Sequence, residues 1–374
     1  MRDTDIRGEA GDARFEALLA RAREIARDAL APRALAVDRA DSVPVDNVRL
    51  LAEAGLLGLS TPREYGGQGA GGEVLREYTE ILAAACGTTT FVQGQHISAC
   101  AMIAGSENES LKCARLPHFA RGERLCGVAF SHLRRPGPPV LRAKPEGDSF
   151  VFDGSAPWFT GWGVMTDTVL GGTLPDDRFL YCVTPLDAPG IEASPPMRLC
   201  AMNGSGTVIL TVRGLRVPAD RVMKTITREQ MAASDLGAIL AVTPQIFGVC
   251  RASLDLLGSL AAKRNSHPIR RALAALEEEL AWLRHETERS RDNVDDDAYR
   301  ENALRLRARC IEFGVRAAHS LVAATGGAAN SRDNQAQRLF REAMFYTLTA
   351  QTRDVQAATL DHLRESSERA IQSS

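Results

Sequence analysis

The sequence predicts an α+β protein in which helices come first, strands follow and helices return. From Asp12 to about Ala84, apolar residues recur at helical spacing with charged residues on the opposite face. Short apolar runs separated by Gly, Pro and Asp begin near Leu125 and are typical of strands. Helical periodicity returns from about Arg228 onwards. This order contains no alternation of β and α segments, which weighs against a Rossmann domain.

An N-terminal helical domain is predicted over residues 1–122. Its first helix carries an apolar face that includes Phe15, Leu19 and Ile25. Proline-containing breaks are expected at Ala31-Pro32 and at Ser42-Val43-Pro44. The later helices of this domain are predicted at Val45 to Ala54, Glu73 to Ala85 and Gln95 to Gly105.

A central β domain is predicted over residues 123–224, and Pro218 is expected to close it. The predicted strands are Cys126 to Phe130, Phe150 to Phe152, Val169 to Leu170, Phe179 to Val183 and Thr207 to Val212. Residues 225–374 are predicted to form a C-terminal four-helix bundle, because long segments such as Ala272 to Arg291 and Arg300 to Ala324 combine helical periodicity with charge pairs four residues apart.

Composition excludes several classes of protein. With 374 residues, 44% of them hydrophobic and 25% charged, the chain can bury a substantial core. The net charge of -2 without a basic stripe argues against a nucleic-acid partner. No apolar run is long enough to span a bilayer, and the N-terminus lacks the apolar core of a secretory signal. A cytoplasmic protein without a membrane partner is expected.

The cysteines and histidines show no metal-binding pattern. Eight cysteines occur without a CxxC pair, which argues against a zinc site and a disulfide framework, and each is expected to be a small buried hydrophobe. His285-Glu286 begins like the HExxH zinc motif, but Arg289 stands at the second ligand position. We therefore expect no metal. Gly67 to Gly72 matches GxGxxG formally, yet it does not follow a strand and is interpreted as a flexible loop.

Three segments carry a family resemblance. Leu51 to Gly69, which reads LAEAGLLGLSTPREYGGQG, closely resembles the N-terminal signature of the acyl-CoA dehydrogenases. Gly147 to Gly154 (GDSFVFDG), followed by Trp158-Phe-Thr-Gly161, resembles that family's strand and Trp-x-Thr run. Ser205 to Asp220 resembles the end of its β domain. The resemblance covers nearly the whole chain, since Arg338 to Leu363 also looks like the family's final helix.

The resemblance implies an FAD-dependent oxidoreductase acting on the CH-CH group of an acyl thioester or related substrate. In this family the flavin ring lies between the β domain and the C-terminal bundle, so Trp158 would stack beside the ring and Thr160 would hydrogen-bond near flavin N5. An aromatic wall excludes water, and a hydroxyl donor stabilises charge on reduced flavin. Without its flanking motifs, Trp158 would be interpreted as a core aromatic.

The resemblance also implies cofactor contacts in the last third of the chain. Gly326-Gly327 resembles a glycine pair that approaches the adenine half of FAD from a neighbouring subunit, although such a pair is also a common helix C-cap. Thr352 matches a threonine near the flavin, and the alternative is an ordinary helical surface residue. A homodimer or homotetramer is expected, with an interface built from apolar residues of the bundle, namely Ile246, Phe247, Val249 and Leu254.

The catalytic base of the family has no counterpart at its usual positions. Removal of the α proton of an acyl thioester needs a carboxylate. The alignment places Ala350 where the family has its glutamate, and the other family position corresponds to Leu236 to Ile239, which contains no carboxylate. The catalytic residue is therefore unknown. Asp235, about one helical turn away, and Glu342 are the candidates.

The segments that hold the flavin also depart from the family. Phe130 to Pro139 replaces the usual Thr-Glu and Gly-Ser-Asp, and Ser131 is kept as a candidate cofactor contact. Arg134 and Arg135 could supply charge to phosphates, although adjacent arginines are more often solvated. Lys263 to Pro268 replaces the Arg-x-x-Phe-Gly element that reaches a neighbour's FAD.

The sequence is compatible with three different functions. The first is an acyl-thioester dehydrogenase with its base elsewhere. The second is a flavin monooxygenase of the same fold, which needs no α-proton base and in which His96, His132 or Ser131 would be polar groups near the ring. The third is a non-catalytic paralogue that keeps the scaffold for binding or assembly.

Overall fold

The computed structural model describes residues 3–294 and 298–372. The chain divides into two compact units. The first contains Met1–Tyr78 and Thr88–Met231, and the second contains Thr79–Gly87 and Ala232–Ser374.

The helices predicted from Val45 and Glu73 begin at Val45 and Gly72. The first helix begins at Asp3 rather than Asp12, and the helix Glu109–Ala120 was not predicted. Ala31-Pro32 does not break the chain, because a π-helical turn at Ala26–Leu30 leads directly into the next helix, where Pro32 occupies the tolerated first turn. The helix expected at Gln95 begins at Gly87 instead. The helices are α1 (Asp3–Ile25), α2 (Ala31–Arg39), α3 (Val45–Glu53), α4 (Gly72–Ala85), α5 (Gly87–Ala104) and α6 (Glu109–Ala120).

The central part of the first unit is one eight-stranded sheet. Its strands are β1 (Cys126–Ala129), β2 (Leu141–Glu146), β3 (Ser149–Phe159), β4 (Asp167–Thr173), β5 (Phe179–Pro185), β6 (Ile191–Ala193), β7 (Val208–Pro218) and β8 (Val222–Ile226). The order is β6-β7-β3-β2-β4-β5-β8, and β1 pairs with β4 in parallel. All five predicted strands are present. Pro218 does not close the sheet, because β8 follows it and pairs with β5.

The helices and the sheet of the first unit share an apolar core. Ile103 and Phe119 from the helices pack with Val169 and Tyr181 from the sheet in one buried cluster. Burial of such side chains stabilises the folded unit by about 25 cal/mol per Å² of apolar surface removed from water.

The second unit is helical. Its helices are α7 (Arg228–Gly237, from Ala232 onwards in this unit), α8 (Thr243–Lys263), α9 (His267–Asp292), α10 (Tyr299–Thr325), α11 (Gln335–Leu348) and α12 (Arg353–Gln372), together with Thr79–Ala85 of α4. The single final helix expected over Arg338 to Leu363 is wrong, since the chain leaves helical geometry after Leu348 and resumes it at Arg353.

The prediction of which bundle residues form an interface between subunits is also wrong. Ile246, Phe247, Val249 and Leu254 are all less than 5% exposed and fill the interior of the second unit. They are therefore not available to a neighbouring subunit.

Among the described residues, no helix has both the length and the apolar character needed to cross a bilayer. All eight cysteines are free thiols. Six are buried as expected, whereas Cys113 and Cys200 are exposed.

Candidate functional site

Trp158 lies at an irregularity near the end of β3. The pairing of β3 with β7 shifts register between Ala156 and Phe159, and Trp158 within this bulge has a φ of 65°. A large side chain in the left-handed region is strained, and such strain concentrates at functional sites. The bulge turns the indole outwards, so that Trp158 is 58% exposed. The alternative interpretation of Trp158 as a core aromatic is therefore wrong.

Thr160 follows directly and belongs to a buried chain of hydroxyl groups. Its Oγ1 lies 3.0 Å from Oγ1 of Thr207, which lies 2.7 Å from Oγ of Ser205. The backbone N–H of Gly161 donates to the carbonyl of Ser205 at 2.9 Å and holds the two segments together. The structure therefore brings together Thr160 and the Ser205-Gly-Thr segment, which the sequence indicates as separate motifs.

Ser131 begins the short 3₁₀ turn after β1, Ser131–Arg134, and is exposed. This turn packs on β4 at Gly171, which has no side chain. A Cβ at position 171 would lie only 2.7 Å from the Cβ of Phe130 and would prevent this contact. His132, within the turn, is buried and its Nε2 donates to the carbonyl of Gly171 at 2.9 Å. The Nδ1 of His132 is buried without a hydrogen-bond partner among the described residues. Burial lowers the pKa of the His132 imidazole to about 4.

His96 is sealed inside the first unit. Its Nδ1 accepts a hydrogen bond from the backbone N–H of Cys126 at 3.0 Å, so the ring proton resides on Nε2 and is donated to the carbonyl of Phe119 at 3.1 Å. Burial lowers the pKa of His96 to about 4. Both ring nitrogens are engaged with backbone, and His96 is a structural residue rather than a polar group available to a ligand.

In the second unit, Gly326 ends α10. It has a φ of 76° and a ψ of -153°, a combination that essentially only glycine adopts, so the C-cap interpretation is confirmed. The guanidinium of Arg264 donates to the carbonyls of Ala324 and Thr325 and completes the cap. No atom lies within 4 Å of a Cβ built on Gly326 or Gly327, so the pair leaves open space beside its backbone. Its contact with adenine stays a prediction.

Ala350 lies in the loop Thr349–Thr352 between α11 and α12, which we call the 349–352 loop. It is exposed and has a φ of 49°. Thr352 is the N-cap of α12, because its Oγ1 accepts a hydrogen bond from the backbone N–H of Val355 at 3.2 Å. The interpretation of Thr352 as a helical surface residue is therefore wrong, while its contact with flavin stays a prediction.

The two candidate bases have different environments. Glu342 is 1% exposed and forms an ion pair with Arg338 at 2.6 Å within α11. The carboxylate is therefore engaged within α11 and is not exposed to a ligand. Asp235 lies on α7 and is half-buried.

A surface cleft of about 500 Å³ lies between α9 and α10, and Trp282, Ser290, Arg305 and Arg309 contribute to its lining. None of the predicted site residues lines it.

Among the described residues, no group of three or more His, Cys, Asp and Glu side chains could hold a metal ion. Gly67 to Gly71 form a loop that leads into α4 at Gly72. The backbone amides of Gln68, Gly69 and Ala70 donate to backbone carbonyls, so this loop is anchored rather than flexible.

One buried residue near the 349–352 loop is not indicated by sequence motifs. Arg307 on α10 is 1% exposed and donates from Nη2 to the carbonyl of Thr349 at 2.8 Å. The only signal in the sequence is its position on the apolar face of α10, between Ala303, Leu306 and Cys310. A charged residue on such a face is uncommon unless it has a specific partner.

Comparison with known proteins gives matches to acyl-CoA dehydrogenases. The family model described as Acyl-CoA dehydrogenase, N-terminal domain, matches residues 13–123. Probable acyl-CoA dehydrogenase YngJ of Bacillus subtilis is 23% identical over 359 residues, which cover 89% of this chain and 93% of that protein. The 3-sulfinopropanoyl-CoA desulfinase of Variovorax paradoxus is 33% identical over 156 residues, which cover 39% of this chain and 38% of that protein.

Solved structures share the fold. Butyryl-CoA dehydrogenase from Megasphaera elsdenii superposes with a TM-score of 0.81 at 18% identity, covering 93% of this chain and 97% of that one. A glutaryl-CoA dehydrogenase from Mycobacterium smegmatis in complex with FADH2 gives 0.80 at 17%, covering 93% and 94%. Dibenzothiophene monooxygenase from Paenibacillus gives 0.73 at 18%, covering 89% and 93%. At these identities the likeness establishes the fold, and the predicted fold class is confirmed.

Proposed function

Because this chain is an acyl-CoA dehydrogenase-like protein, a family whose cofactor is FAD, we propose that it oxidises the CH-CH group of an acyl thioester or a related substrate. The observation that supports the proposal most strongly is the exposed ring of Trp158, which a strained bulge near the end of β3 holds outwards between the buried residues Ala156 and Phe159. A protein gains nothing in stability from this arrangement, whereas a flat ligand gains an aromatic wall. The coincidence of this wall with the family's Trp-x-Thr position supports a flavin site.

The residues of the first unit fit a flavin ring. Ser205, Thr207 and Thr160 carry three hydroxyl protons and form two hydrogen bonds with one another. One proton is left for an acceptor outside the chain of hydroxyls, and a ring nitrogen such as flavin N5 would supply that acceptor. In this proposal Trp158 excludes water, Thr160 donates, and Ser131 contacts the cofactor from its exposed turn.

The proposed reaction needs one proton acceptor. Bound flavin would supply the acceptor for the β hydrogen and its electron pair, and a protein group would have to take the α proton. Ala350 has no titratable side chain, and the buried carboxylate of Glu342 is already engaged by Arg338. We therefore assign this role to Asp235 in the dehydrogenase proposal.

The test is the visible spectrum of the purified protein during anaerobic addition of a panel of acyl-CoAs. We expect bound flavin that is bleached by at least one acyl-CoA, and Asp235→Asn should reduce the bleaching rate by about 10²-fold or more. Trp158→Ala should weaken flavin retention, whereas Trp282→Ala, which truncates a 41% exposed indole on α9, should not. Purification of a folded, colourless protein that binds no added FAD would refute the proposal and leave the non-catalytic alternative.

A flavin monooxygenase is the second candidate, and Ala350 in place of the glutamate is the observation that favours it. Monooxygenation uses reduced flavin and O₂, with one oxygen atom going to substrate and the other to water, and does not need an α-proton base. In this case acyl-CoAs would leave bound flavin oxidised. A supplied flavin reductant would then support substrate-dependent oxygen consumption.

We further propose that the protein is a homodimer or homotetramer located in the cytoplasm. Its family relationship supports the assembly, and its eight free cysteines suit a reducing compartment.

A further inference from the structure

Arg307 is the largest fully buried side chain in the described part of the protein. It lies on α10, it is 1% exposed, and its Nη2 donates to the carbonyl of Thr349 at 2.8 Å. Its Nε has no hydrogen-bond partner among the described residues, and no ion pair joins Arg307 to a carboxylate in residues 3–294 or 298–372. Burial lowers the pKa of Arg307 to about 10. A guanidinium without a counter-ion is an expensive group to keep in the interior of a protein.

The acceptor of this hydrogen bond explains how the charge is tolerated. Thr349 is the C-cap residue of α11, where the helix presents carbonyl groups that have no partner within the helix. The aligned peptide dipoles give this end a partial negative charge, which a cation stabilises. Arg307 therefore uses the C-terminal end of α11 in place of a carboxylate.

The contact also fixes the 349–352 loop. Thr349 is held on both sides, because its own Oγ1 donates to the carbonyl of Phe345 at 3.1 Å while its carbonyl accepts from Arg307. At the other end Thr352 caps α12. Ala350 stands between these anchors in the left-handed conformation and is exposed. The backbone on both sides of position 350 is thus held by hydrogen bonds of Thr349 and Thr352, one of them donated by Arg307.

We propose that Arg307 is a positioning residue that holds the 349–352 loop in one conformation and thereby sets the direction in which residue 350 projects. The loop is held from α10, a different helix, through the carbonyl of Thr349. The catalytic meaning of this arrangement rests on the proposed function, whereas the positioning itself does not.

Global stability distinguishes a positioning role of Arg307 from a merely structural one. Replacement of a buried, uncompensated charge by an apolar side chain of similar size is often neutral or stabilising. Arg307→Met should therefore leave the thermal unfolding temperature unchanged or raise it, while it releases the carbonyl of Thr349. A merely structural contact would lower global and local stability together.

The experiment is amide hydrogen exchange on the full-length protein, followed in peptides that cover the 349–352 loop, alongside thermal unfolding. In Arg307→Met we expect exchange of the loop to rise about tenfold, as for loss of one charged hydrogen bond. Arg307→Lys, which keeps a charged donor, should restore part of the protection. Arg305→Met, an exposed arginine two residues earlier on α10, is the matched control and should leave the loop unchanged.

Unchanged loop exchange in folded Arg307→Met would overturn the proposal. If Arg307→Met does not fold, Arg307→Gln is the variant to measure. The glutamine side chain keeps a polar group but is too short to reach the carbonyl of Thr349. Unchanged exchange of the 349–352 loop in Arg307→Gln would likewise overturn the proposal. None of these measurements depends on bound flavin or on turnover. A failure of the proposed function, seen as a colourless or inactive protein, is therefore distinguishable from a failure of this inference.

Discussion

At the scale of single residues, two histidines are kept neutral by burial. His96 bonds to backbone groups through both ring nitrogens, and His132 bonds through one, and burial lowers the pKa of each to about 4. In the unfolded chain each imidazole titrates near its ordinary pKa of about 6.5. The unfolded state consequently binds more protons than the folded state between about pH 6.5 and pH 4.

Folding stability should therefore fall as the pH falls through this window. For a group whose folded pKa is depressed, the contribution is complete above the unfolded pKa and is lost towards the folded pKa. For His96 alone we expect about 2 kcal/mol less stability at pH 5 than at pH 7. Urea unfolding of wild type and His96→Gln at both pH values checks this, because the variant should lose that part of the pH dependence. An identical dependence in the two proteins would contradict the buried neutral assignment.

At the scale of elements, the two glycines after α10 have separable roles. Gly326 adopts a conformation that essentially only glycine tolerates, whereas Gly327 has a negative φ and open space at its Cβ position. The first glycine serves the helix end. The second is free to serve a ligand.

Gly326→Ala should cost about 1–3 kcal/mol in the free energy of unfolding through backbone strain. Gly327→Ala should have little effect on stability, yet it should weaken FAD retention if the backbone approaches adenine closely. Urea unfolding and equilibrium dialysis of FAD, both carried out on both variants, measure the two effects. Equal loss of stability in the two variants would show that the distinction drawn from φ does not hold.

The helices were predictable because their apolar faces repeat over many turns, as in α3 and α10. Strands β2, β6 and β8 were not predicted. β2 reads LRAKPE with alternate residues exposed, and β6 has only three residues, so neither contains an apolar run. Their place in the sheet depends on pairing with distant strands, which local sequence does not encode.

The break between α11 and α12 was missed for a related reason. Thr349–Thr352 contains neither Gly nor Pro, the usual signals of a helix end. A weaker signal was present, since Thr352 with Asp354 two residues later suits a helix start. The site was predictable as a set of motifs, but the outward turn of Trp158 and the buried Arg307 depend on a bulge and on a contact between helices.

At the scale of the whole molecule, assembly needs an apolar surface other than the one first expected. Phe340, Met344 and Leu348 lie four residues apart on α11 and are 37%, 37% and 59% exposed. Residues at this spacing share one face of a helix. This face is a stronger candidate for contact between subunits than the buried residues of α8.

A charge on this face should therefore weaken assembly without unfolding the protein. We expect Met344→Lys to shift the protein towards monomer in size-exclusion chromatography with light scattering. Leu256→Lys, which places the same charge at a 36% exposed position on α8, is the control and should leave the mass unchanged. A wild-type protein that is monomeric throughout would remove both the interface and the expectation of cofactor contacts between subunits.

The anchoring of the 349–352 loop has an evolutionary consequence. Because Thr349, Thr352 and Arg307 hold the backbone and the side chain at position 350 is exposed, the main constraint on its identity is the left-handed φ of 49°. Alanine and glutamate share the same constraint on φ and have codons one base apart, so a lineage can lose or regain a carboxylate here in a single step while the surrounding protein stays intact. Chemistry at this position can therefore drift faster than the fold that presents it, and one scaffold can give rise to relatives with different reactions.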